Sequence, residues 1–222
     1  IYKVPLSDIG NDGQESINDD EWTFIPFTYE DQTDFSTQPS DSTVFDCEAM
    51  VYIDGKLHLF SKNRKEYTTT HYVVNQSTAQ AEIVETFDTE GLITGADISP
   101  DGKVIALLGY DLHGIPKVFV WLLWDWQAGS DAFFTGNKRR IELGLALVTG
   151  QAEGIGFNTN RTGYITNERT MANNITFVEQ SVRWFDFSQW GAGEQCHRRA
   201  GKRGGVQHFP QSVFAKHSFS VF

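Results

Sequence analysis

Short runs of alternating hydrophobic and polar residues follow one another along most of the chain, and a helical period is almost absent. Three stretches, at residues 48–60, 95–107 and 153–165, align without gaps. Each has an apolar run, a polar turn, a cation and a second apolar run. Asp-Gly in the first two turns is typical of tight hairpins, because both central residues need positive φ. We therefore predict three β-hairpins, with turns at Asp54 and Gly55, at Asp101 and Gly102, and at Thr159 and Asn160.

Further alternating strands follow each predicted hairpin. They lie at 70–74, 117–123 and 181–187, and the first two units continue with strands at 81–87 and 139–147. Four antiparallel strands in a unit of about 50 residues are typical of a propeller blade. The sequence therefore predicts an all-β fold, a small β-propeller of four to five blades, with residues 1–222 forming a single domain.

The two ends of the chain are predicted to complete one blade together. Residues 1–6 resemble a third strand and residues 21–29 a fourth, so residues 206–222 would supply the first two strands. The N- and C-terminal strands then lie side by side and close the ring, which removes exposed sheet edges. Residues 190–222 are unusually basic, with five Lys or Arg and one acid, which is typical of either a mobile basic segment or a cloning artefact.

Acidic residues stand at the start of the predicted innermost strands. In a propeller these strands line the central channel, so Glu48, Asp97 and Glu153 are expected to converge, and Asn167 and Glu168 end the third hairpin. Carboxylates that lie close together stay ionised only beside a cation. Calcium accepts about six to eight oxygen ligands in irregular geometry. We therefore expect a calcium site formed by Glu48, Asp97, Glu153 and Asn167.

A second interpretation of these acids needs no metal. An acid at such a strand start often pairs with a basic side chain, and Lys62, Arg64 and Arg169 are available as partners. The sequence leaves both interpretations open.

Charge and missing motifs exclude several functions. A net charge of −11 repels nucleic acid and anionic lipid, and no apolar run is long enough for a membrane-spanning helix. The chain has no Gly-x-Ser-x-Gly, His-Glu-x-x-His, Gly-rich phosphate loop or Cys-x-x-Cys motif, which argues against the common serine hydrolases and zinc proteases. Cys47 is expected to be a buried, inert thiol. We expect a monomer without nucleic acid or membrane partners.

Two other groups of residues are candidates for function. His113, in a predicted loop, and Glu168 are candidates for activating water. Aromatic residues cluster in or after the third strands, where packing between blades is the simpler role and a sugar-stacking platform the alternative. This aromatic cluster comprises Phe119, Trp121, Trp124, Trp126, Trp184, Phe185 and Phe187.

At residues 46–50, 95–103 and 152–155 the chain resembles secreted propeller proteins of unassigned role from Bacteroidetes-type bacteria. The resemblance implies a secreted, cell-surface or periplasmic protein whose export signal is absent from this chain. The chain is also similar, more loosely, to calcium-dependent propeller lactonases of the paraoxonase and gluconolactonase type. That similarity implies a channel calcium held by Glu48, Asp97, Glu153 and Asn167, although those enzymes have six blades.

Two functional hypotheses follow. In the first, the protein is a calcium-assisted hydrolase of lactones or esters, including acyl-homoserine lactones, in which a carboxylate or histidine activates water. In the second, it is a noncatalytic secreted propeller that binds carbohydrate or protein through loops on one face.

Overall fold

The computed structural model describes residues 1–5, 22–36, 39, 42–172 and 175–190. Within these ranges the protein is all-β, as predicted, with sixteen strands, a 3₁₀ turn at Phe133–Thr135 and one short helix, α1 (Ala146–Thr149). Strands β1 (Tyr2–Lys3) and β2 (Thr23–Phe24) form a two-stranded ribbon. The next strand, β3 (Thr28–Tyr29), is equally short.

The first two large sheets are four-stranded antiparallel meanders. The first consists of β4 (Cys47–Ile53), β5 (Lys56–Ser61), β6 (Thr68–Asn75) and β7 (Gln80–Asp88), with β3 added in parallel at the edge of β7. The second consists of β8 (Leu92–Ile98), β9 (Val104–Asp111), β10 (Lys117–Trp124) and β11 (Asn137–Leu145). Both agree with the predicted four-strand units.

The third sheet departs from this pattern. It pairs β12 (Ala152–Phe157) with β13 (Thr162–Asn167), and β13 with β16 (Ser181–Asp186). A separate hairpin, β14 (Thr170–Ala172) and β15 (Ile175–Val178), interrupts the meander between β13 and β16. The strand predicted at 181–187 is therefore confirmed, and the inserted hairpin was not predicted.

All three predicted hairpins form, but only the first has a two-residue turn. Asp54 and Gly55 have φ of 50° and 82°, as the tight turn requires. In the second hairpin only Gly102 has positive φ, because Ser99 shapes a longer loop: its hydroxyl donates to Asp101 Oδ1 (2.7 Å) and accepts from Val104 N (3.0 Å). Residues 158–161 form a four-residue loop in the third hairpin.

The first strands of the three sheets lie side by side, because β8 packs between β4 and β12. One apolar core fills the space between the first and second sheets, and it includes Phe60, Phe119 and Phe133. A second core, between the second and third sheets, includes Phe185 and Phe187. Most of the predicted aromatic cluster packs in or against these cores, whereas Trp184 is 50% exposed.

A pair of histidines is buried within the first sheet. His58 Nδ1 lies 2.9 Å from His71 Nε2, and the two rings pack against Phe60 and Phe133. Burial, together with His71, lowers the pKa of His58 to about 4. Both rings are almost inaccessible to water, so His58 is held in its neutral form at physiological pH.

The ends of the chain give a partial answer on ring closure. The predicted strands at 1–6 and 21–29 are present as the shorter elements β1, β2 and β3. Residues 206–222, predicted to complete the same blade, lie outside the described residues. Closure into a ring of four or five blades stays a prediction.

Candidate functional site

Three equivalent β-bulges lie near the start of the adjacent first strands. In β4, β8 and β12 the pairing with the second strand of the hairpin slips by one residue, and the extra residues are Glu48, Thr94 and Glu153. A bulge turns the extra side chain away from the regular alternation, and bulges are common beside active sites. Because β8 lies between β4 and β12, the three side chains face a common space.

That space is a polar cavity of about 500 Å³. Besides the three bulge residues it is lined by Lys62, Arg64, Tyr110 and Glu168, among others. Lys62 and Arg64 follow β5, Tyr110 lies on β9, and Glu168 follows β13, so all three sheets contribute. We call this space the polar cavity.

Lys62 is the buried cation of the polar cavity. Its side chain is only 3% exposed, its Nζ lies 2.5 Å from Glu48 Oε2, and it lies 5.2 Å from the centre of the Tyr110 ring. Burial favours the neutral amine, but the hydrogen bond to Glu48 and the charges of Glu48 and Glu153 outweigh it and raise the pKa of Lys62. Lys62 therefore stays charged.

Arg64 supplies a second cation at the edge of the cavity. Its Nε and Nη2 donate to Asp46 Oδ2 at 3.2 and 3.0 Å, and Nη2 lies 3.8 Å from Glu48 Oε1. Lys62 therefore pairs with Glu48, and Arg64 pairs with Asp46 and Glu48, as the interpretation without a metal expects. Arg169, the third proposed partner, pairs with Glu179 instead (3.2 Å).

Glu153 has the most perturbed carboxyl group of the cavity. Burial raises its pKa to about 7; the charge of Lys62 opposes this, while Glu48 and Glu168 reinforce it. A hydrogen bond to Glu48 also favours the protonated form. Glu153 is therefore close to half protonated at neutral pH, which suits a group that both accepts and donates a proton.

Thr94 occupies in the second sheet the place that Glu48 and Glu153 occupy in the other two. Its hydroxyl donates a 2.6 Å hydrogen bond to the carbonyl oxygen of Ala152, so it fastens β8 to β12 beside Glu153. The bond is buried and contributes to holding the second and third sheets together at the cavity.

The four predicted calcium ligands do not assemble at one point. Glu48 and Glu153 line the polar cavity, but Asp97 lies farther along β8, where its Oδ2 accepts from Phe157 N (2.6 Å). The Asn167 amide donates to the carbonyl oxygens of Glu168 (2.9 Å) and Glu179 (3.0 Å), and its oxygen accepts from the Ser181 hydroxyl. Asn167 thus has a structural role, tying the β14–β15 segment to the sheet.

The chemistry of the donor set also does not match the predicted calcium site. Lys62 and Arg64 already neutralise the carboxylate of Glu48. Among the described residues no group of three or more His, Cys, Asp or Glu side chains has an arrangement that could hold a metal ion. Lys62 and Arg64 are thus cations that the protein itself supplies to the polar cavity, and calcium binding there stays a prediction.

The two predicted water-activating residues lie in different places. Glu168 lines the polar cavity, where its backbone N–H donates to the Gln151 carbonyl oxygen (3.0 Å). His113 is 67% exposed in the loop after β9, its Nδ1 is 2.8 Å from Asp111 Oδ1, and its ring packs on Tyr67. The structure therefore does not bring His113 to the cavity.

Sequence reasoning assigned no role in the site to Tyr110 and Thr94. In the sequence Tyr110 is an ordinary apolar position of β9. Only its contact with Lys62 in the structure reveals a role. Cys47 agrees with the expectation for an inert thiol, because burial raises its pKa.

Comparison of the chain with protein-family models and with curated protein sequences finds no match. No helix in the described part of the chain is long and apolar enough to cross a membrane.

Proposed function

We propose that the protein is a hydrolase of lactones or esters and that the polar cavity is its active site. The observation that carries this proposal is Glu153, whose pKa is raised to about 7 beside the buried cation Lys62. Carbonyl hydrolysis needs a base near neutral pH and positive charge beside the carbonyl oxygen. The polar cavity offers both within about 500 Å³, a volume suited to a small polar substrate.

In the proposed reaction Glu153 in its ionised form accepts a proton from a water molecule that attacks the carbonyl carbon. Negative charge develops on the carbonyl oxygen, and Lys62 and Arg64 stabilise it. When the carbon–oxygen bond to the leaving group breaks, Glu153 returns the proton to the departing alkoxide. The products are the carboxylic acid and the alcohol, or the ring-opened hydroxy acid from a lactone.

The wider architecture proposed with this function is a β-propeller. Three antiparallel sheets whose first strands pack side by side are what neighbouring blades look like, and their bulges repeat at equivalent positions. The predicted similarity to propeller lactonases agrees with a site at the inner strands. A secreted or cell-surface location belongs to the same proposal.

The test is an assay of purified protein on acyl-homoserine lactones and simple aryl esters across pH 5–9, with Glu153→Gln and Glu82→Gln beside the unchanged protein. We expect a rate that rises with a midpoint near pH 7 and falls at least 100-fold in Glu153→Gln. Glu82 is an exposed glutamate on β7 that accepts from Asn75, so Glu82→Gln is the matched control.

Absence of turnover on every lactone and ester, or full activity of Glu153→Gln, would refute the proposal. Calcium binding stays a prediction, and a chelator arm tests it. If turnover is lost with chelator and returns with calcium, then calcium, and not Lys62 and Arg64, supplies the positive charge beside the carbonyl oxygen.

Carbohydrate binding is the second candidate function, supported by one observation. Tyr164 and Trp184, 46% and 50% exposed, form an edge-to-face pair with ring centroids 5.3 Å apart on the third sheet. Such exposed rings stack on sugars. Glycan binding that is lost in Trp184→Ala but retained in Glu153→Gln would favour this function over hydrolysis.

A further inference from the structure

A second cavity, separate from the proposed active site, lies between the outer strands of the second and third sheets. It has a volume of about 490 Å³, within the range of small-molecule binding sites. We call it the intersheet cavity. Its walls come from β10 and β11 on one side and from β13 and β16 on the other.

The walls of the intersheet cavity are mainly apolar. Val118, Ile165, Phe185 and Phe187 line it and are themselves nearly inaccessible to water, so they form fixed surfaces and not mobile side chains. The stacked rings of Phe185 and Phe187, 4.3 Å apart, form part of the wall. Such walls favour the apolar part of a ligand.

One cation, Arg183, stands at this apolar space. It donates a hydrogen bond to the Val148 carbonyl oxygen (3.0 Å), and it forms no ion pair with any carboxylate in the described ranges. The residue as a whole is exposed, and burial of its side chain within the surrounding protein lowers the pKa of Arg183. A guanidinium with five donors and one carbonyl partner has donors left for an anion.

The two carboxylates at the cavity have partners of their own. Glu142 lies 3.1 Å from Lys117 and 3.1 Å from Arg140. Asp186 accepts from Ser188 N (2.8 Å). Glu142 is thus neutralised and Asp186 is held by a backbone hydrogen bond, which leaves Arg183 as the cation of this cavity that an anionic ligand can pair with.

We propose that the intersheet cavity binds a small amphipathic carboxylate, such as a medium-chain fatty acid. The alkyl chain lies against the apolar walls, and the carboxylate pairs with Arg183. The inference is independent of the proposed hydrolase activity, since the intersheet cavity and the polar cavity are formed by different side chains.

Titration calorimetry at pH 7.5 with decanoate and with 1-decanol, both below the concentrations at which they aggregate, tests the proposal. The two probes share the alkyl chain and differ in the charged group. The unchanged protein is expected to bind decanoate about fivefold more tightly than decanol, which is the strength of an accessible ion pair. Arg183→Gln is expected to abolish this preference and leave decanol binding unchanged.

Arg139→Gln is the matched control, because Arg139 is an exposed arginine on the neighbouring strand β11 that does not line the cavity. It is expected to keep the fivefold preference. Equal affinity for the two probes in the unchanged protein would overturn the proposal without reference to any variant. Binding of neither probe, or a preference for decanoate that persists in Arg183→Gln, would also overturn the proposal.

Discussion

Replacing Glu153 by Gln is expected to stabilise the protein while abolishing its activity. The pKa of Glu153 is raised from 4.5 to about 7, so the folded protein holds this proton more tightly than the unfolded chain does. Between these two pH values the unfolded state gains stability by releasing the proton. A glutamine amide has nearly the shape of the protonated carboxyl group and donates to Glu48 in the same way. It has no proton to release on unfolding, so Glu153→Gln does not lose folding stability as the pH rises.

The size of the effect follows from the two pKa values. A change from 4.5 to about 7 corresponds to about 3 kcal/mol, because one pKa unit is worth about 1.4 kcal/mol. Glu153 is not fully buried, so water screens part of this and we expect about 2 kcal/mol. The gain of Glu153→Gln is absent below pH 4.5, grows as the pH rises to about 7, and is constant above it.

Urea denaturation of the two proteins at pH 4.5, 5.5, 6.5 and 8, followed by tryptophan fluorescence, measures this difference. Glu82→Gln, at an exposed position, is expected to show no pH-dependent gain. Our reasoning about the polar cavity is refuted if Glu153→Gln is less stable than the unchanged protein at pH 8, or if its advantage does not vary with pH.

Three further predictions concern stability. The pKa of His58 falls from 6.5 to about 4 on folding, so the protein should lose about 3 kcal/mol of stability as the pH drops from 6.5 to 4. Urea denaturation of His58→Gln should not show that loss. An equal loss of stability with pH in both proteins would contradict the prediction. A β-carbon at Gly109 would overlap the Leu92 carbonyl oxygen and lie 2.7 Å from the Phe119 ring, so Gly109→Ala should lower stability by about 2 kcal/mol. Gly156→Ala, whose β-carbon would make only an ordinary van der Waals contact with Asp97 Oδ2 at 3.9 Å, is its control and should differ little in thermal denaturation. Lys62→Met should cost about 1–2 kcal/mol at pH 7.5 in urea denaturation, since it leaves Glu48 without its buried partner; no loss of stability would mean that the pair contributes nothing.

The strands of the first two sheets were predictable because their signals are local. Alternation within one strand and a turn between two strands depend on residues close together in sequence, so the segments at 70–74 and 117–123 fall inside β6 and β10. The β14–β15 hairpin was missed because its strands are only three and four residues long, too short for alternation to identify them.

The site was only partly predictable because a bulge depends on pairing between strands. An alignment without gaps puts Gly95 opposite Glu48 and makes Asp97 the nearest acid of the second unit. The structure puts Thr94 there, one residue earlier, because the pairing of β8 with β9 slips between Ile93 and Gly95. Asp97 lies three residues beyond Thr94, about 10 Å along the strand, which is enough to remove it from the cavity.

The repetition of the same backbone irregularity in β4, β8 and β12 also bears on how this molecule can evolve. The side chains at the three bulge positions line the same cavity, so a substitution at Glu48 or Glu153 changes the charge of that cavity, whereas one at Thr94 also removes its hydrogen bond to the Ala152 carbonyl oxygen. Thr94→Glu would add a third bulge carboxylate and would remove the hydrogen bond from Thr94 to the Ala152 carbonyl oxygen. Negative charge in the polar cavity can therefore be gained or lost by single substitutions at these positions.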